Sequence, residues 1–128
     1  MAEMSNYLEA ALINATLRNT SYTSPTTVYL ALYTDDPTDA DTGTEISGGS
    51  YARQSITFGA PSSGTSTNSA AIEFPAATAN WGVVTHVGIR DALTSGNLLY
   101  HTALDASKTI NNGDIFKILT SNLSVTLA

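Results

Sequence analysis

The chain predicts a mainly β protein, a single antiparallel β-sandwich or open barrel of about seven strands with one N-terminal helix. Short stretches of alternating apolar and polar residues recur from Val28 to Leu127, with Gly-, Asn- and Pro-containing turns between them. A helical period of apolar residues occurs near the start alone. Charged residues are only 12% of the chain while Ser and Thr are abundant, which suits strands whose outer faces are lined with hydroxyls. At 128 residues the chain fits one domain, residues 1–24 being expected as a helix and linker arm and residues 25–128 as the sandwich.

The elements follow in order. Ser5 or Asn6 can cap a helix, with Glu9 three residues after Asn6 in capping-box position. Leu8, Leu12 and Ala15 then fall on one stripe beside Ala11, and Ile13 and Leu17 form a second stripe. The pattern stops at Arg18-Asn19, and Pro25 marks a linker. A helix of about 13 residues is marginal in isolation and must dock, either on its own sheet or on a neighbouring subunit.

From Val28 to Tyr33 both faces are apolar, so this strand is expected inside a sheet. Residues 51–58 alternate as a second strand. Between the two lies an acidic loop with Asp35, Asp36, Asp39, Asp41 and Glu45, and it reads as solvated. Gly48-Gly49 and Gly59 supply turns around the second strand. The stretch GAPSSGTSTNSA is low-complexity turn, Ala70–Phe74 a short strand ended by Pro75, and residues 75–82 an irregular bridge. Val83–Arg90 and Leu98–Leu104 pair as a hairpin through Thr94-Ser95-Gly96-Asn97. Asn111-Asn112-Gly113-Asp114 is the strongest hairpin turn and predicts pairing of Thr109-Ile110 with Ile115–Leu119. A last strand, Leu123–Leu127, places Leu123, Val125 and Leu127 on a buried face.

The segment VYLALYTDDPTDADTGTEISGGSYARQSITFGAP carries a resemblance, together with the opening SNYLEAALINATLRNTSYTSPTTVYLALYT, the middle EFPAATANWGVVTHVGIRDA and the close GNLLYHTALDASKTINNGD. From about Ser5 to Leu127 the chain resembles a family of short structural proteins of tailed bacteriophages, labelled head decoration (cement) proteins in some genomes and tail fibre proteins in others. The resemblance implies a non-enzymatic structural component of the virion. Head decoration stabilising the capsid is placed first, because the chain is short for a fibre and has neither coiled-coil heptads nor collagen-like repeats. The alternative is a tail fibre or tail-tip protein with a receptor- or carbohydrate-binding role. Implied partners are the major capsid protein and copies of the chain itself as a homotrimer, on the outer surface of the head after synthesis in the host cytoplasm.

Composition narrows the classes further. A net charge of −6 with five scattered basic residues, Arg18, Arg53, Arg90, Lys108 and Lys117, argues against nucleic acid. No run of about 18 apolar residues argues for a membrane span, and no signal peptide is evident. Zero cysteines exclude disulfides and thiolate chemistry.

No catalytic, cofactor-binding or metal site is expected. His86 and His101 lie on strands paired as neighbours, yet the strands offer no third ligand. Asp39, Asp41 and Glu45 provide a weak calcium alternative, without the Glu that completes an EF-hand. A hydrolase built on these groups lacks an assembled site. Candidate interface residues are Leu8, Leu12, Ile13, Leu17, Tyr51 and Trp81, with Trp81 either a core anchor or an interface plug. For carbohydrate binding, Trp81, Tyr51 and Tyr100 would serve as aromatic platforms.

Overall fold

The computed structural model of the chain describes residues 2–127, and the outer ends of the expected arm and domain, Met1 and Ala128, lie outside them. The described chain is mainly β and antiparallel. In order it forms β1 (Glu3–Met4), α1 (Asn6–Leu17), β2 (Val28–Tyr33), β3 (Gln54–Ile56), β4 (Thr65–Thr67), β5 (Ile72–Glu73), β6 (Gly82–Arg90), β7 (Leu98–Ile110), β8 (Lys117–Ile118) and β9 (Ser124–Thr126). A five-stranded sheet runs β1-β7-β6-β2-β3, and two small sheets, β4 with β9 and β5 with β8, complete the fold without closing a barrel.

One core joins these layers. Leu30, Leu32 and Val87 of the large sheet belong to the same buried cluster as Ile72, Phe74 and Phe116 from the small-sheet side. Burial of apolar area at roughly 25 cal/mol per Å² makes this contact the main source of stability. In β2, Ala31 and Tyr33 on the opposite face are buried as well, which fits its place between β6 and β3.

The helix starts where its cap predicts. The Leu8 backbone N–H donates to Ser5 Oγ at 3.2 Å, the Ser5 hydroxyl itself donates to the Leu98 carbonyl, and the Ser5 N–H reaches Leu99 O at 2.9 Å. Because β1 also pairs with β7, at Glu3 with His101 and Met4 with Tyr100, the expected arm is woven into the sheet at its beginning. Only Leu8 of α1 is buried; Ile13 and Leu17 stand exposed. The first apolar stripe is thus the packed side, with Ala11, Leu12 and Ala15 half-buried behind Leu8, and the second faces solvent.

Several pairings differ from expectation. The turn at Asn111-Asp114 forms, with the Asp114 N–H on Asn111 O at 2.9 Å and Gly113 at φ 95°. It does not produce the expected hairpin: Thr109-Ile110 continues β7, and β8 crosses to pair with β5, Ile118 opposite Ile72. The low-complexity stretch contains β4, which pairs with β9. Next to β4, the fully buried Asn68 donates from Nδ2 to Ala70 O (2.8 Å) and Leu119 O (3.0 Å) and accepts from Leu123 N at 2.9 Å. Its amide thus substitutes for sheet ladder where three chain segments meet. Of the last expected face, Leu123 is buried and Val125 packs on the core, but Leu127 is exposed.

On β6 and β7 the register moves from Val84 opposite Lys108 to His86 opposite Ala103, two steps against five. The surplus residues 104–107 arch out of the ladder as an extended bulge.

Candidate functional site

The acidic loop lies at the surface as expected, with Asp35, Asp36 and Asp41 exposed, but three of its carboxylates also fasten it to the large sheet. The loop leaves β2 and returns alongside it, with Thr34 N on Thr44 O at 3.0 Å and Ile46 N on Leu32 O at 2.9 Å. This return presents Asp39, Asp41 and Glu45 to three different partners. Each partner is a cationic or imidazole side chain on or beside a strand.

Arg90, at the end of β6, makes a bidentate pair with Asp41, Nη1 to Oδ1 and Nη2 to Oδ2 both at 2.8 Å. It also donates to the Tyr33 hydroxyl at 2.9 Å and to Gly96 O at 3.0 Å. Burial works against its charge, but the bonds from Asp41 and Tyr33 prevail and hold its pKa above the ordinary guanidinium value. Burial pushes the Tyr33 hydroxyl up despite the same arginine.

Arg53 forms the second clamp. It grips Glu45 through Nε–Oε2 at 2.9 Å and Nη2–Oε1 at 2.8 Å, and its Nη1 donates to Ala92 O (2.9 Å) and Ser95 O (2.8 Å) in the β6–β7 turn. The Tyr51 hydroxyl donates to Glu45 Oε2 at 2.6 Å and accepts from Leu32 N at 3.0 Å. Burial alone would raise the Glu45 carboxyl; the bonds from Arg53 and Tyr51 overcome it and hold the group below the usual carboxylate range. Burial and the bond to Glu45 push the Tyr51 hydroxyl well up. The two arginines thus pin the loop and the β6–β7 turn to the same sheet end.

His101 takes the third carboxylate. Its ring is only 4% exposed, with Nε2 2.7 Å from Asp39 Oδ1 and 3.9 Å from Glu3 Oε2, while Nδ1 lies 3.7 Å from Asp36 Oδ1. Since Gly88 is the partner of His101, His86 lies on the same sheet face two residues away, and its Nδ1 is bonded to the Thr85 hydroxyl at 2.8 Å. The expected closeness of the two histidines holds in that both line one cleft. The carboxylates near His101 come from the loop and from β1, and they gather at His101 and not at His86.

The other candidates separate. Asp39, Asp41 and Glu45, weighed for calcium, are directed to His101, Arg90 and Arg53 and do not converge. Trp81 is 6% exposed, donates Nε1–H to Gly49 O at 2.9 Å, and meets the Tyr51 ring edge-on with centroids 5.4 Å apart. It is a core anchor, so neither Trp81 nor the hydroxyl-locked Tyr51 offers an open platform for a sugar. Leu8 is likewise buried and Leu12 half-buried beside it, which leaves Ile13 and Leu17 to the outside of α1. Gly49, at φ +57°, is required where it is, because a Cβ there would lie 2.8 Å from Trp81 Nε1.

Sequence reasoning missed both arginine clamps. The signal was present: in a chain with five basic residues, Arg53 and Arg90 stand within apolar strand patterns, where a charge needs a partner.

No helix of the described residues is long and apolar enough to cross a membrane. A search of curated proteins finds none that matches the chain. The family comparison is positive and spans the fold from β1 through β9: over residues 3–126 the chain matches, and belongs to, the podophage GP4 fiber I protein gp80 family.

Proposed function

We propose that the protein is a non-enzymatic structural subunit of a podophage fibre, assembling with copies of itself. The observation that carries this reading is the family match over residues 3–126, which favours the tail fibre alternative over head decoration. A buried Trp81 and an engaged Tyr51 weigh against a sugar-binding platform at those residues, so the role is structural before it is receptor-binding.

The free face of α1 supports self-assembly. Ile13 is 55% and Leu17 78% exposed on a helix of 12 residues that packs against β7. The inner side of the helix, Leu8, Ala11, Leu12 and Ala15, is at least half-buried, so it is this outer side that gains from packing on a neighbour. Three copies around an axis close an interface of this kind without leaving a free end.

Gold-labelled antibody against the protein, imaged on virions by negative-stain electron microscopy, should mark the tail. Label confined to the head would restore the decoration reading. In solution, light scattering should give three times the chain mass of 13.4 kDa for the wild type. The Ile13→Asp/Leu17→Asp variant should run as a folded monomer with an unchanged β circular dichroism spectrum, since neither residue is in the core. A wild-type monomer, or an oligomer indifferent to both substitutions, would remove α1 from the interface.

A further inference from the structure

We propose that Glu3, Asp39 and His101 form a binding site for a divalent transition-metal ion of the zinc or manganese class. Pairing places these groups together. β1 lies against β7 with Glu3 directly opposite His101, so their side chains share a face, and the acidic loop is tied to the start of α1 by the Asn6 N–H on Asp39 O at 2.8 Å. One ligand atom from each residue falls within 4.8 Å of the other two.

The geometry is that of a coordination shell. Donors bound to one ion at about 2.0–2.2 Å stand about 3–3.5 Å from each other. The separations from His101 Nε2, 2.7 Å to Asp39 and 3.9 Å to Glu3, bracket that spacing. Asp36, beside Nδ1 at 3.7 Å, is placed to fix the ring orientation from the outer side, as carboxylates do behind ligating histidines. A cleft of about 420 Å³, lined by Glu3, Asp36, His86, His101 and Asp105, opens the group to solvent and gives an ion an entry path. His86 adds a second imidazole on the same face.

The donor set selects the ion. One buried imidazole with two carboxylates suits borderline divalent ions, whereas calcium calls for six to eight oxygens. A simple Asp39–His101 hydrogen bond joins two of the groups, and the Glu3 carboxylate, 3.9 Å from the same Nε2 and 70% exposed, is open to the cleft as a third donor. An ion here would join β1, the loop and β7, fastening the segment from which α1 emerges. This inference stands apart from the fibre reading, because it concerns the fold of one chain.

The test uses the full chain stripped with EDTA and titrated with zinc chloride or manganese chloride by calorimetry, with parallel thermal melts. One ion per chain should bind, and the melting temperature should rise with metal concentration. Glu3→Gln and Asp39→Asn should each weaken binding at least about tenfold, the loss that even outer-shell partners cause. Glu3→Gln should leave the metal-free melting temperature unchanged. His101→Ala removes a buried ring and can fail to fold, so the two carboxylate variants decide. No saturable binding, equal binding by both variants, or a preference for calcium over zinc and manganese would overturn the proposal.

Discussion

Replacing Trp81 with alanine is expected to lower stability by about 3–5 kcal/mol, the cost of removing a large buried aromatic. Denaturant titration followed by circular dichroism measures it directly, and the thermal midpoint should drop by roughly 10–20 °C. The indole is packed against the ring of Tyr51, with centroids 5.4 Å apart at 88°, and against Phe74 at 6.3 Å and 79°. Phe74 passes the contact to Phe116 at 5.7 Å, so the cluster links the irregular bridge before β6 to the segment leading into β8. Loss of the indole also strips Gly49 O of its 2.9 Å donor. Trp81→Phe keeps an edge-on ring and loses that one bond, and should fall well short of the alanine effect. If Trp81→Ala instead melts with the wild type, the buried position described above is wrong and the residue returns to an interface.

Much of this fold is written locally, and the rest depends on partners that local patterns do not name. Ser5 reads as a cap because a short hydroxyl just before a helical period can accept from the first free N–H groups, and β2 reads as interior because Tyr29, Ala31 and Tyr33 leave no wet face. The turn at Thr94–Asn97 joins β6 to β7 as its residues predict. Asn111–Asp114 is equally strong as a turn, yet a turn fixes only that the chain reverses. Ile118 found Ile72 because the other layer needed apolar cover, a choice made by tertiary packing. Asn68 was hidden in a run of Ser, Thr and Gly, where an amide that satisfies three backbone groups looks like any other turn residue. The acidic loop is as wet as its composition predicts, yet its composition does not name the groups that tether it; only the placement of Arg53, Arg90 and His101 on the facing strands does. The cleft at His101 needed β1, a two-residue strand too short to leave a periodic signal.

Replacing Arg53 with methionine is expected to cost about 1.5–3 kcal/mol at neutral pH, because it removes charge-assisted bonds and leaves the carboxylate of a partly buried pair uncompensated. Arg53 is 8% exposed and Glu45 24%, so water replaces the lost guanidinium poorly. The pH dependence separates this from a simple packing loss. In the wild type the Glu45 carboxyl is held below its ordinary value, so its contribution is present above about pH 4.3 and fades as pH falls through the lower folded value. In Arg53→Met the sign reverses: burial then dominates, the carboxyl is raised, and protonation at falling pH relieves the buried charge. The stability gap between the two proteins should therefore narrow steadily from pH 7 to about pH 3, where the Glu45 carboxyl is neutral in the variant. Glu45→Gln/Arg53→Met should recover part of the loss at pH 7, since the amide needs no counter-charge and can still accept from Tyr51. Urea melts of the three proteins at pH 7, 5 and 3 give the comparison. A gap that stays constant across pH would show that Arg53 acts through its contacts with Ala92 O and Ser95 O in the turn and not through the charge it holds against the loop.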